Sequence, residues 1–191
     1  MKNKIAVIFP GIGYTCDKPL LYYIIKWLRS NGVQVVTLDY TGLRKENLQG
    51  NHALIVDAIQ QGIEIYERKV SQQRLTEASQ VIFVGKSIGS AVAAKVYERL
   101  SDQQKEKTKL LLLTPLEETL QPKLRKDSIV FHGNQDPWAN TKVICSRCAE
   151  QEITLYEVEK ANHSLETGDV ELDLRNLQWM IRKMIQLLEK E

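Results

Sequence analysis

The sequence predicts an α/β fold: a doubly wound, mostly parallel sheet of about six strands with helices on both faces. Three observations predict it. Short runs of Val, Ile and Leu recur along the 191 residues, continuous rather than alternating, as strands covered on both faces require. Between them lie longer stretches with apolar residues at three- and four-residue spacing, the pattern of a helix resting one face on a sheet. Strands and helices alternate throughout, the order that builds crossover units. At about 150 residues per domain, residues 1–191 read as a single domain without repeat, low-complexity segment or linker.

Each element has its own signals. Ile5–Phe9 is a five-residue apolar strand preceded by Lys2 and Lys4 and ended by Pro10-Gly11. It is too short for the apolar stretch of a signal peptide or for a membrane span of about 20 residues. Pro19–Asn31 reads as a helix, with Asp17 ahead of Pro19 at its start and Gly32 as a left-handed stop. Val33–Asp39 is the next strand. Ala53–Lys69 follows as a helix whose stripe is Val56, Ile59, Ile63, Tyr66 and Val70. After a loop at Ser71–Gln80 come the strand Val81–Val84, the helix Ile88–Leu100 and the strand Leu110–Thr114. Pro115–Asp127 is the second long loop. The strand Ile129–His132, the helix Trp138–Glu150, the strand Ile153–Val158 and the helix Leu172–Lys190 complete the chain. The stripe of the last helix is Leu174, Leu177, Ile181, Met184 and Leu188.

Composition narrows the function classes. With 26 Lys and Arg against 24 Asp and Glu, the net charge of +2 gives no broad field for nucleic acid or an anionic membrane. Lys105, Lys107 and Lys109 stand among Asp102 and Glu106 and read as a solvated face. Three cysteines, Cys16, Cys145 and Cys148, are too few for a disulfide framework. The Cys145-x-x-Cys148 spacing falls inside a helix with no second pair or His to complete a zinc set. A cytoplasmic protein without metal or cofactor is the expectation.

Ligands of an open parallel sheet bind outside the carboxyl ends of its strands, and three segments there carry chemistry. Val81–Val84 runs into Gly85-Lys86-Ser87-Ile88-Gly89, a G-x-S-x-G between strand and helix, where a sharp turn would expose Ser87 above a helix N-terminus. Ser87 as a plain helix cap is the alternative. A phosphate loop would need Gly at position 80, which is Gln80. Asp136 follows the fifth strand in His132-Gly133-Asn134-Gln135-Asp136-Pro137, where it can also cap a helix; His132 belongs to the strand end. His163 follows the sixth strand, 27 residues after Asp136, whereas His52 sits exposed near a helix start. Ser87, Asp136 and His163 thus occur in the order nucleophile, acid, base, each just after a strand. Glu117 and Glu118, after the fourth strand, are the competing positions for the acid. The glycine turn Pro10-Gly11-Ile12-Gly13 after the first strand, with Ile88, can supply backbone N–H donors for an oxyanion. As a dinucleotide fingerprint it would need Gly at position 16, which is Cys16.

Gly85-Lys86-Ser87-Ile88-Gly89-Ser90, His132-Gly133-Asn134-Gln135-Asp136-Pro137 and Asn162-His163-Ser164-Leu165 resemble the α/β-hydrolase superfamily, in particular its small lidless bacterial members. Pro10-Gly11-Ile12-Gly13 matches the family's oxyanion segment more loosely. The resemblance implies a Ser87–His163–Asp136 triad, an oxyanion hole from Ile88 with Ile12 or Gly13, and hydrolysis of a small ester, thioester or amide. The partner it implies is a small-molecule acyl substrate. Tyr14, Leu116, Trp138 and Leu165 lie on loops that could ring the acyl pocket. Two departures matter: family members usually carry extra strands before the oxyanion loop, and the 13-residue Pro115–Asp127 connection is too short for a helical lid. A catalytically silent hydrolase fold that binds an acyl compound or a protein partner is the other class.

Overall fold

The computed structural model describes residues 3–43 and 46–189. Six parallel strands form one sheet in the order β2-β1-β3-β4-β5-β6. They are β1 (Lys4–Phe9), β2 (Gln34–Thr37), β3 (Gln80–Lys86), β4 (Thr108–Leu113), β5 (Ile129–Gly133) and β6 (Thr154–Val158). The helices are α1 (Pro19–Ser30), α2 (His52–Lys69), α3 (Gln72–Glu77), α4 (Ile88–Glu98), α5 (Asp102–Glu106), α6 (Thr141–Glu150) and α7 (Val170–Glu189). The chain winds outward from β1 in both directions, so the topological switch lies between β1 and β3, where a crevice opens at the strand ends.

Both faces of the sheet are covered, and strand alternation divides the core in two. Ile5, Val7 and Phe9 of β1 and Val81 and Phe83 of β3 pack with α2, α4 and α6. Ala6 and Ile8, with Ile82 and Val84, face the other way onto α1 and α7. Leu110 and Leu112 against Leu111 and Leu113 repeat the division in β4. This two-sided burial explains the continuous apolar runs. Among the described residues no helix is long and apolar enough to cross a membrane.

Several elements differ from the sequence expectation, each for a local reason. The expected strand Val33–Asp39 narrows to β2, because Asp39 accepts from the Thr41 N–H at 2.9 Å and turns the chain. Asp17 does not cap α1; Lys18 occupies the cap position without a side-chain hydrogen bond. Gly32 does take the left-handed conformation, at φ 73°. The loop Ser71–Gln80 contains the short helix α3, and Pro115–Asp127 contains a 3-10 turn at Glu117–Leu120. The residues around Lys105 form α5, started by a reciprocal Ser101–Gln104 capping box. α6 starts at Thr141 rather than Trp138, since Asn140 accepts from the Lys142 N–H at 3.0 Å. Two stripe positions point outward: Val56 is 48% and Leu174 61% exposed. The expected end of the last helix at Lys190, and Lys2 ahead of β1, lie outside the described residues.

The buried and exposed members of the α1/α7 layer should respond differently to truncation. Leu28→Ala, at a side chain with no exposed surface, is expected to cost about 2–5 kcal/mol. Leu174→Ala should stay within about 0.5 kcal/mol of the parent. Urea unfolding of both variants checks this; equal losses would mean that α7 presents a different face to the sheet.

Candidate active site

Four strands deliver the site. The turn after β1, the first residue after β3, and the loops after β5 and β6 converge at the carboxyl edge of the sheet. At the end of β3 the chain reverses within one residue: Ser87 has φ 57° and ψ −125°, a conformation that costs a non-glycine residue about 1–3 kcal/mol. Its neighbours explain how it is tolerated. A Cβ on Gly85 would sit 2.5 Å from Ser90 Cα, and one on Gly89 2.1 Å from the Phe9 carbonyl oxygen. Only glycines let strand, turn and helix approach this closely. Ser90 ties the turn from below, its N–H and Oγ both donating to the Ser87 carbonyl at 2.8 and 2.6 Å.

His163 and Asp136 meet Ser87 from the far side of the sheet. His163 Nε2 lies 2.7 Å from Ser87 Oγ, and His163 Nδ1 lies 2.7 Å from Asp136 Oδ2. An ionised carboxylate only accepts, so Nδ1 carries the proton and Nε2 receives the serine hydroxyl. Asp136 Oδ1 accepts from the Trp138 N–H at 2.9 Å. One carboxylate oxygen therefore fixes the loop while the other faces the imidazole. The loops after β5 and β6 are bound to each other by Asn134 N–H to the Val158 carbonyl, Gln135 N–H to the Ala161 carbonyl, and Lys160 N–H to Asn134 Oδ1. The Trp138 ring stacks on the imidazole with centroids 5.3 Å apart.

The competing carboxylates are engaged elsewhere. Glu118 Oε1 pairs with His52 Nδ1 at 2.8 Å, and Glu117 Oε1 accepts from the Asn140 N–H at 3.2 Å. His132 is fully buried in β5, its Nε2 2.9 Å from Thr141 Oγ1. The helical Cys145 and Cys148 have thiols held above the ordinary range, chiefly by burial. Among the described residues no group of three or more His, Cys, Asp or Glu is arranged to hold a metal ion.

The proton affinities follow from this packing. Burial would raise the Asp136 carboxyl, but the hydrogen bond and charge of His163, the Trp138 N–H and His132 together hold it below the usual carboxylate range. Burial lowers His163; the Asp136 hydrogen bond opposes that, and Lys86 and His132 add to it, leaving the imidazole below its ordinary value. A neutral imidazole beside an ionised carboxylate results at neutral pH.

A cavity of about 220 Å³ opens beside Ser87, and Ile12, Gly13, Tyr14, Ile88, Leu116 and Trp138 all line it. Leu165 does not. It is buried in the α1/α7 layer and borders a second cavity of about 440 Å³ that shares Tyr14 and Ser164 with the first. Its proposed contact with an acyl group is therefore not one this cavity offers. Leu48 and Ile55, from the approach to α2 and its second turn, complete the apolar wall. They gave no sequence signal, because contact between distant segments leaves no local pattern. Lys86 also lines the cavity and is buried. The sequence places Lys86 two residues beyond the expected strand Val81–Val84; its burial follows from β3 running on to Lys86.

The chain matches the model of an alpha/beta hydrolase domain over residues 3–187. It belongs to the alpha/beta hydrolase family. A protein assigned to the alpha/beta superfamily of hydrolases from Xanthomonas campestris pv. campestris shares its fold at TM-score 0.71 and 17% identity, with 99% of this chain and 100% of that chain covered. A second protein from Xanthomonas campestris, described as an α/β serine hydrolase without a lid, superposes at TM-score 0.58 and 17% identity, over 94% and 81% of the two chains. An esterase from Pyrococcus furiosus does so at TM-score 0.56 and 12% identity, over 95% and 83%. At these identities the likeness concerns the fold of this alpha/beta hydrolase. No curated protein matches its sequence.

Asp136 should control the His163 titration. Its negative charge favours the imidazolium, so Asp136→Asn is expected to move the His163 pKa further down, while Glu117→Gln and Glu118→Gln leave it unmoved. Histidine side-chain NMR through a pH series measures this. A shift in a glutamate variant and none in Asp136→Asn would contradict the observed pairing.

Proposed function

We propose that this alpha/beta hydrolase is a serine hydrolase cleaving a small ester, thioester or amide through an acyl-enzyme. The observation that carries this reading is the unbroken contact chain Ser87–His163–Asp136, with both links at 2.7 Å. Ser87 Oγ attacks the acyl carbonyl as His163 Nε2 takes its proton. Asp136 holds the ring in the required tautomer and stabilises the imidazolium. The tetrahedral oxyanion forms above the start of α4, where the Ile88 N–H and that of Ile12 or Gly13 receive it. His163 then returns the proton to the leaving group, and water repeats the sequence to release the acid. The reaction needs no cofactor.

The cavity supports a small acyl group. About 220 Å³ lies below the roughly 300–1,000 Å³ of sites for drug-sized ligands, and its wall of Ile12, Leu48, Ile55, Leu116 and Trp138 is apolar. Esters are the favoured class among the three, in keeping with the esterase among the fold neighbours.

A fluorophosphonate probe, which reacts with an activated serine, is expected to label Ser87 in the parent and nothing in Ser87→Ala. With a p-nitrophenyl ester series, short acyl chains should turn over fastest. Asp136→Asn should lower kcat by about 10⁴, the loss seen for a serine-protease acid. Glu117→Gln and Glu118→Gln should each change it by less than about tenfold. Labelling at another serine would overturn the assignment.

A further inference from the structure

Lys86 is the last residue of β3 and the chain neighbour of Ser87. Alternation from Ile82 and Val84 places it on the α1/α7 face, and it has no exposed surface. Its ammonium donates to Thr114 Oγ1, just after β4, and to the main-chain carbonyl of His163 at 2.7 Å. It also stands 4.7 Å from the centroid of the Tyr14 ring. The fixed points are thus the ends of β3 and β4 and the loop after β6, with β5 lying between β4 and β6.

A buried ammonium is costly to desolvate, and an apolar side chain of similar length often packs as well or better. Here the donors meet two oxygens and the face of an aromatic ring. Asp136 and Glu166 act on it as nearby charges. The carbonyl it holds belongs to the same residue whose ring meets Ser87. The loop that carries His163 is also bound to the β5 side, through Asn134 and Gln135, and Ala161 and Leu165 seat it in the α1/α7 layer; Lys86 adds a tie at the His163 carbonyl itself.

We propose that Lys86 is a positioning residue: by holding the His163 carbonyl and the Thr114 hydroxyl together, it pins the His163 loop to the ends of β3 and β4 and fixes the imidazole between Ser87 and Asp136. Its effect on rate rests on the acyl-enzyme reading; its effect on the imidazole does not. The charge contributes as well. Burial pushes the Lys86 ammonium down to about 7, opposed by Asp136 and Glu166, and its cationic form disfavours a second cation on His163. The titratable and charged groups acting on the imidazole are Asp136, Lys86 and His132.

Lys86→Met keeps the length and apolar stem and removes the donors. It is expected to fold with an unchanged or higher Tm and to react with the fluorophosphonate about 100-fold more slowly, the scale of a 1 Å misplacement of a reacting group. Its His163 imidazole should titrate at higher pH than in the parent, and the downfield Nδ1–H resonance of the His163–Asp136 hydrogen bond should broaden. Thr114→Val should slow labelling while Thr114→Ser keeps the parent rate, a comparison that stands if Lys86→Met does not fold. Parent-like labelling, titration and Nδ1–H resonance in Lys86→Met would overturn the inference and leave the acyl-enzyme reading intact. An unlabelled parent would overturn that reading, and the Nδ1–H resonance of Lys86→Met would still decide the tether.

Discussion

A serine held at positive φ between a buried strand and a buried helix is the constraint to which the rest of this molecule is fitted. Ser87 stands at φ 57°, and it can do so because β3 and α4 are clamped by the apolar layers on both sides of the sheet. The turn leaves no room at Gly85 or Gly89 for even a methyl group. It also fixes the glycine turn after β1, since the Phe9 and Pro10 carbonyls are what a Cβ on Gly89 would strike. Ser87 and the N–H groups proposed as oxyanion donors are therefore set by one backbone event at the topological switch, and the local strain of about 1–3 kcal/mol is carried by the core.

The partners of Ser87 arrive by a different principle. Asp136 and His163 come from loops after β5 and β6, which have no strand pairing to hold them. Polar contacts do so instead: the two loops bind each other through Asn134 and Gln135, the Trp138 N–H fixes Asp136, and Lys86 reaches the His163 carbonyl. Because these groups are buried, each charge shifts its neighbours: the carboxylate stays ionised and the imidazole stays neutral. That is the charge state a general base requires near neutral pH.

Most of the fold was legible because burial on both faces of a parallel sheet writes itself as continuous runs, as in Ile5–Phe9 and Leu110–Thr114. The placement of Ser87, Asp136 and His163 after strands was legible for the same reason, since each lies within a few residues of such a run. Short-range polar contacts were not. The Asn140 cap, the Asp39 turn and the Ser101–Gln104 box shifted or added helices that no apolar period announces. Nor were the tertiary neighbours: Leu48 and Ile55 reach the cavity from an approach far along the chain, while Leu165 turns into the α1/α7 layer at φ 63°. Lys86 read as part of a failed phosphate motif beyond the expected strand end at Val84, and its burial follows from β3 running on to Lys86.

Rapid-quench mass spectrometry with a short-chain p-nitrophenyl ester tests the central claim most directly. The acyl-enzyme reading predicts a burst of p-nitrophenol matched in time by the mass of one acyl group on the peptide that contains Ser87. Turnover with no covalent acyl adduct at Ser87, at any quench time, would contradict it.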